Sequence, residues 1–135
     1  MNLSHSVLRE CLLLDTQFEE CQLIGADLEE SKIIDANFSH CKLQGASFNY
    51  CEGGSHIESK KYGIFLGIHG VNFRYADLRD TTFRYARIAG DFRHAQLDGV
   101  NFTGADLRGS KMLISDREHV KLTEQQRESI EWVSK

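Results

Sequence analysis

The sequence predicts an all-β solenoid, and three observations predict it. Counting in fives from Leu3 lands on Leu8, Leu13, Phe18, Leu23, Leu28, Ile33, Phe38, Leu43 and Phe48 without a miss. Two residues before most of these stands a small one: Ser6, Cys11, Thr16, Cys21, Ala26, Ser31, Ala36, Cys41 and Ala46. The chain has no proline and eleven glycines, which suits a coil with many tight corners.

A beat of five fits neither regular period. A five-residue step rotates an α-helix by about 140° beyond a full turn, so the apolar residues would spread round its circumference. On one continuous strand an odd step changes face each time. Within each five, however, the small and large residues are two apart, as on one face of a short strand. The geometry that satisfies both is a short extended side with two inward residues, then a corner, repeated into a coil.

Ala26-Asp27-Leu28, Ala36-Asn37-Phe38, Ala76-Asp77-Leu78 and Ala105-Asp106-Leu107 give the repeat its fullest form. In this the sequence resembles the pentapeptide-repeat family, over roughly four fifths of its length. The resemblance implies a right-handed, four-sided β-helix with about twenty residues per turn.

After Phe48 the beat fails: Gly53, Glu58 and Gly63 take the next central positions, and an unpaired buried glutamate is too costly. Small-then-large pairs return at Leu66/Ile68, Val71/Phe73, Ala76/Leu78, Thr81/Phe83 and Ala86/Ile88. A step of four leads to Gly90/Phe92, and Ala95/Leu97, Val100/Phe102, Ala105/Leu107 and Ser110/Met112 follow. If a loop at about 49–63 is excised, every fourth central residue falls in one column. The columns then read Leu3, Leu23, Leu43, Leu78, Leu97; Leu8, Leu28, Phe48, Phe83, Phe102; Leu13, Ile33, Ile68, Ile88, Leu107; and Phe18, Phe38, Phe73, Phe92, Met112. Like stacks on like, which favours the excised loop. The β-helix then spans 1–112 in about five turns and, at about 4.8 Å between strands, is about 25 Å long.

Residues 113–135 change character. Thr123 and Gln126 form a capping-box pattern, which predicts a helix from about Glu124 to Val133 with Ile130 and Val133 on one side. Solenoids need covered ends, so this segment is expected to cap the coil, or else to serve as a homodimer handle. The Leu3 end has no matching cover.

The 135 residues make one small domain of formal net charge −4. Residues 1–53 hold nine acids and three bases, 54–112 six and nine, and 113–135 five and four, so an acidic end adjoins a basic middle. No apolar run is long enough for a membrane span, and the repeat register starts at once, so neither membrane insertion nor a signal peptide is expected. Cys11, Cys21, Cys41 and Cys51 all fall on the small inward position without a C-x-x-C pair. They read as buried small hydrophobes in a reducing cytoplasm, not as zinc ligands.

Catalytic signatures are missing. The six histidines are scattered, and Gly63, Gly67 and Gly70 lack the spacing and the following helix of a nucleotide site. The sequons Asn37-Phe38-Ser39 and Asn101-Phe102-Thr103 are by-products of the repeat. No cofactor, metal or direct nucleic-acid binding is expected, and the chain reads as no enzyme.

Two surfaces remain as candidates. Leu12, Leu14, Ile24 and Ile34 occupy outward positions, and such patches mark interfaces. The loop leaves the coil at the corner entering that face, carrying His56, Ile57, Glu58, Lys60, Lys61, Tyr62, Ile64 and Phe65; either it folds over the patch or a protein partner sits there. The other surface is acidic: Glu10 over Glu30 and Asp15 over Asp35, with Glu19, Glu20, Asp27 and Glu29 between. Arg79 is expected beside Asp98, Arg87 beside Asp106, and Arg74 beside Arg93 with Tyr75, His94, His40 and Glu20 along the same edge. The family resemblance implies a rigid rod that works by presenting a surface. Its quinolone-resistance members resemble DNA in shape and charge, dimerise through the C-terminal end and bind DNA gyrase or topoisomerase IV. This chain is shorter, and its charge is milder. The first reading is a generic protein-binding scaffold, the alternative a DNA mimic directed at a type II topoisomerase.

Overall fold

A computed structural model describes residues 1–59 and 64–135, with the backbone alone for 55–69. Each five-residue repeat forms one side and one corner. The residue between the small and the large position bridges in parallel to its counterpart on the next level, as in the ladder Asn2, Gln22, Lys42, Asp77, Gln96. The other three sides give Val7, Asp27, Ser47, Thr82, Asn101; Leu12, Lys32, Glu52, Arg87, Asp106; and Gln17, Asn37, Asn72, Asp91, Lys111.

The corners explain the rest of the repeat. At most corners the amide of the small residue donates to the carbonyl of the preceding large one, as from Ala26 to Leu23 at 3.1 Å, whereas those of Cys11 and Gly90 donate to the Ser31 and Ser110 hydroxyls. The second corner residue has positive φ, whether glycine or, as in Glu10, Asp15, Glu30, Asp35, Tyr75 and Asp80, not. That alternation is the signature of a type II turn. An Asp or Asn at the bridging position accepts a corner amide: Asn37 Oδ1 from Ser39 N at 2.9 Å, Asn72 Oδ1 from Arg74 N at 2.9 Å, Asp27 Oδ1 from Glu29 N at 3.1 Å. This is the physical content of the Ala-Asp/Asn-Leu/Phe signature: a wall residue, a corner clamp and a core residue.

Inside, the large residues stack by column. Phe18, Phe38, Phe73 and Phe92 lie nearly parallel, with neighbouring centroids 4.9, 5.3 and 5.3 Å apart. Phe48, Phe83 and Phe102 form a second stack and meet the first edge to face, as between Phe48 and Phe73 at 89°. Hydroxyls and thiols on the small positions donate to carbonyls one level away: Thr81 Oγ1 to Leu43 O at 2.7 Å, Cys41 Sγ to Phe18 O at 2.8 Å and Cys51 Sγ to Leu28 O at 2.9 Å. The polar atoms of this wall are therefore satisfied.

The excursion lies elsewhere than the sequence suggested. Residues 49–53 belong to the coil. Strand β1 (Glu52–Gly53) pairs in parallel with Arg87–Ile88, and Gly53, not Ile68, fills the column between Ile33 and Ile88. A Cβ on Gly53 would come within 2.5 Å of Ile88 Cγ1 and 2.9 Å of Val71 Cγ2, so the neighbours already fill the space of a missing side chain. The chain then leaves as an antiparallel hairpin, β2 (Ser55–Ser59) and β3 (Ile64–His69), with Ser55 opposite His69 and His56 opposite Ile68. It rejoins at Gly70, whose missing Cβ would stand 2.2 Å from Ala89 O. Next comes β4 (Val71–Asn72), then β5 (Arg87–Ile88) and β6 (Gly90–Asp91), with the step of four compressing the corner at Ala89.

The end of the chain departs from expectation as well. Strand β7 (Lys111–Leu113) is followed by a 3-10 turn at Ile114–Asp116, and helix α1 covers Glu124–Ser129 only. Thr123 and Gln126 make the anticipated reciprocal cap. Beyond Ser129 the chain forms β8 (Glu131–Val133), parallel to β7, instead of more helix. The reason is the free edge of β7: a strand there satisfies backbone groups that further helix would leave unpaired.

Candidate interaction surface

The outward apolar residues divide by exposure. Leu12 is 69% and Leu14 46% exposed, whereas Ile24 and Ile34 are half-buried. Leu14 and Ile34 occupy one corner column, because the neighbouring Asp15 amide donates to Ile34 O at 3.1 Å. Whether the hairpin folds over this patch turns on the side chains of 55–69, outside the described residues. His56 lies on β2 as a backbone position, while Lys60, Lys61 and Tyr62 fall among residues outside the described set.

The acidic residues align by pairs but not on one face. The Glu10 amide donates to Glu29 O and the Glu30 amide to Asn49 O, which puts Glu10 and Glu30 in one corner column. Asp15 and Asp35 share the next column, and Glu19 and Glu20 sit on the one after. The charge thus wraps three corners of the first two levels. Arg9 stands within it, 3.5 Å from Asp27 and 3.8 Å from Glu29.

The sequence reading missed one feature and placed the residues of another without their contacts. The first is a set of forks from Arg to the Asp two residues before it. Arg79 reaches Asp77 at 2.6 Å, Arg93 reaches Asp91 at 2.7 Å and Arg108 reaches Asp106 at 2.6 Å. The Arg79 fork, with its backbone amide, holds the Asp77 carboxyl below the ordinary range, and Arg108 does the same for Asp106. At Asp91 burial pushes upward most strongly, but the Arg93 fork and amide together outweigh it and the carboxyl is lowered. The signal was the thrice-repeated Asp-(Leu or Phe)-Arg; cross-strand pairing of Arg79 with Asp98 and Arg87 with Asp106 was expected instead. Arg87 does bridge Asp106 along the ladder, but the Asp106 ion pair is with Arg108.

The second is a pair of outer aromatic ladders. Tyr75 stacks between His40 and His94, each centroid 4.9 Å away and 6° from parallel, with the Arg74 guanidinium 5.7 Å from the Tyr75 ring centre. Tyr50 and Tyr85 stack at another corner, 5.5 Å apart. Here the column argument succeeded in placing the residues, and their ring contacts follow from the 5 Å rise between levels.

The thiols are free, and Cys21, Cys41 and Cys51 are buried. Burial pushes Cys41 and Cys51 up to about 12. Among the described residues no group of three or more His, Cys, Asp or Glu side chains could hold a metal ion, and no helix is long and apolar enough to cross a membrane. At the C-terminal end, Gln126 Nε2 donates to Phe102 O at 2.8 Å and Ala105 O at 3.0 Å, and Val120 and Ile130 are buried against the core. Of the apolar residues of this segment, Ile130 packs into the chain's own coil, while Trp132 and Val133 are half-buried.

Parallel one-residue bridges on four sides, turned by repeated corners, define a β-helix solenoid. The family model for pentapeptide repeats matches residues 2–33 and 91–112 in eight copies. A pentapeptide repeat protein (Rfr23) from the cyanobacterium Cyanothece 51142 superimposes at TM-score 0.62 and 19% identity, over 77% of this chain and 61% of that one. A pentapeptide repeat protein of the Arabidopsis thaliana thylakoid lumen does so at 0.54 and 18%, over 98% and 79%. The chain carries pentapeptide repeats over those residues and shares the right-handed β-helix fold of these two structures. It therefore spans less than two thirds of the cyanobacterial structure's length. The full-length plasmid-mediated fluoroquinolone resistance protein QnrB1 matches at TM-score 0.38 and 15% identity, over 97% of this chain and 79% of that one, a likeness too loose to bear on function. No curated protein matches the sequence.

Proposed function

We propose that the chain is a non-catalytic, cytoplasmic protein-binding scaffold: a β-helix of about five turns, capped by residues 113–135, that presents a rigid surface to one protein partner. The observation that carries this reading is the exposure of Leu12 and Leu14 beside half-buried Ile34 at neighbouring positions of the coil wall. Apolar side chains fixed on a stiff wall bind with little ordering cost. The hairpin leaves at the corner that carries Leu14 and Ile34 on earlier levels, so its residues His56, Lys60, Lys61 and Tyr62 are assigned to the same contact.

The alternative, a DNA mimic that engages a type II topoisomerase, draws on the aligned pairs Glu10/Glu30 and Asp15/Asp35. Arg9 inside the acidic set and the spread over three corners weigh against it. Affinity capture from the native host's lysate, with wild type and Leu14→Asp side by side at low and moderate salt, separates the two. The scaffold reading expects one partner, held at moderate salt and lost with Leu14→Asp. Topoisomerase subunits released by salt and by Glu29→Lys/Glu30→Lys, and kept by Leu14→Asp, would overturn it in favour of the mimic.

A further inference from the structure

Six arginines occupy the first residue of a corner: Arg9, Arg74, Arg79, Arg84, Arg93 and Arg108. Arg79, Arg93 and Arg108 fork onto the Asp two residues before, each through Nε and Nη2. Arg9 lies beside Asp27 and Glu29, and Arg84 is exposed to water. Arg74 has neither remedy. Neutral Asn72 stands where the fork acid would be, and Arg74 is half-buried. Its Nε is out of reach of water and has no hydrogen-bond partner, and among the described residues no ion pair reaches its guanidinium. Native structures satisfy nearly all such groups, so this one asks for a partner from outside the chain.

Arg74 lines a groove of about 510 Å³ along the side whose ladder runs Gln17, Asn37, Asn72, Asp91, Lys111. Three of its side chains have donors to spare. They are Arg74 itself, Asn72, whose Oδ1 accepts from the Arg74 amide at 2.9 Å while its Nδ2 has no partner, and Lys111, which forms no ion pair among the described residues. The acids of the groove are engaged. Arg93 holds the Asp91 carboxylate at 2.7 Å. Asp35 stands at the far corner of the side, where its amide donates to Gly70 O at 2.7 Å, and it is not free. Glu131 follows Lys111 along the ladder but does not line the groove.

We propose that this groove binds a carboxylate, which supplies at Arg74 the charge that Asp77, Asp91 and Asp106 supply at their own arginines. Because Nε is covered, the two carboxylate oxygens meet the two terminal nitrogens of the guanidinium, a bidentate arrangement that suits its planar shape. The Tyr75 ring, with its centre 5.7 Å from the guanidinium carbon, braces the group from one side. Asn72 Nδ2 offers a further donor and Lys111 a second positive charge. Asp35 and Asp91 at the rim disfavour a dianion such as phosphate by like-charge repulsion, so a single negative charge fits best. The carboxylate belongs to a small free acid or to an acidic side chain of a polypeptide, which present the same pair of oxygens.

This inference does not rest on the scaffold reading, because its probes are small acids and need no protein partner. The full chain, labelled with nitrogen-15, is titrated with sodium acetate and with a capped glutamyl peptide, while chloride holds the ionic strength constant. The Arg74 Nε–H resonance is expected to shift and to saturate at concentrations on the order of millimolar, and that of Arg84 to show no saturation. Equal midpoints for the two probes identify a free acid as sufficient, and a lower midpoint for the peptide identifies a polypeptide side chain; either supports the carboxylate site. Asn72→Asp copies the fork acid of the other three arginines and keeps an oxygen for the Arg74 amide. It is expected to abolish the saturable shift without lowering the urea midpoint, so that loss of binding is not loss of the fold. Lys111→Gln is expected to weaken binding several-fold. A shift that grows linearly to about 100 mM acetate, an equal response at Arg84, or unchanged binding in Asn72→Asp would each overturn the proposal. So would saturation by inorganic phosphate at lower concentration than by acetate.

Discussion

The rings of Phe38 and Phe73 lie 5.3 Å apart and 9° from parallel, although 35 positions separate them where 20 separate Phe18 from Phe38. The fifteen extra residues, 55–69, are set aside without breaking the stack. Phe73 also stacks on Phe92 and meets Phe48 and Phe83 edge-on, so with Phe83 it has more ring contacts than the other described phenylalanines of the core. Phe73→Ala is expected to cost about 3–5 kcal/mol, read from chemical denaturation. Tyr75→Ala, one corner away on the outer ladder, is expected to cost about 1 kcal/mol, the worth of an exposed aromatic contact.

The hairpin and the coil are expected to separate cleanly. Bridges Lys32–Glu52 and Asn37–Asn72 hold the levels on either side of the excursion, and neither uses residues 55–69. Replacing 55–69 by one or two glycines should leave the circular dichroism spectrum and a cooperative unfolding transition intact. Loss of the transition would show that the hairpin is part of the folding unit.

Where the chain rejoins, Gly70 is fixed by space. The Cβ of Gly70→Ala would stand 2.2 Å from a backbone oxygen, Ala89 O, which cannot rotate away. Overpacking of this kind costs about 1–3 kcal/mol. The measured midpoint should fall accordingly, and Gly45→Ala, where nothing lies within 4 Å, should lose less despite its φ of 68°.

Most of the coil was legible because its signal is redundant. Each column repeats the same residue class, so Phe38 over Phe73 could be inferred without any knowledge of corner geometry. The excursion was misplaced because Gly53 is a core position with no side chain, and an apolar count cannot see a residue that its neighbours Ile88 and Val71 replace. Ile68 looked like the missing member because its hairpin strand has the alternation of a wall segment. The last strand was misread for a related reason. Ile130 and Val133 fit either a helix face or a strand, and what decides is the open edge of β7, a tertiary feature. Of the candidate surface, the sequence placed Leu12, Leu14 and the acidic columns. It missed the Asp–Arg forks because they act within one corner, below the scale of column stacking.

The thiols give a prediction with two readouts. Cys41 and Cys51 sit in the wall with their S–H donated to carbonyls and their pKa pushed up to about 12 by burial. At pH 8 a thiol reagent should label half-buried Cys11 first and reach Cys41 and Cys51 only at the rate of unfolding. Their folded pKa lies above the unfolded value of 9.0. The contribution to stability is therefore complete below pH 9 and is lost progressively as pH rises toward 12. Rapid labelling of Cys41 at pH 8 would contradict the buried wall.

The Asp–Arg forks set the acid limb. Asp77, Asp91 and Asp106 all have folded pKa values below the model-compound 3.8, so the unfolded chain takes up their protons first. Their stabilisation is complete well above pH 3.8 and is lost as pH falls through the folded values. Asp91 is the informative one, since its side chain is 25% and that of Arg93 23% exposed, whereas Arg79 and Arg108 are more open to solvent. Asp91→Asn keeps an oxygen for the Arg93 amide and removes the charged fork, so it should cost about 1 kcal/mol or less at pH 7. Asp91→Ala also removes the corner clamp and should cost about 1 kcal/mol more. As pH falls below 3.8 the difference between wild type and Asp91→Asn should shrink, while that between Asp91→Asn and Asp91→Ala should persist, because an amide clamp does not titrate. Urea midpoints for the three proteins at pH 7 and pH 2.5 separate the two contributions, and a wild type to Asp91→Asn gap that stays constant with pH would show that the fork contributes nothing.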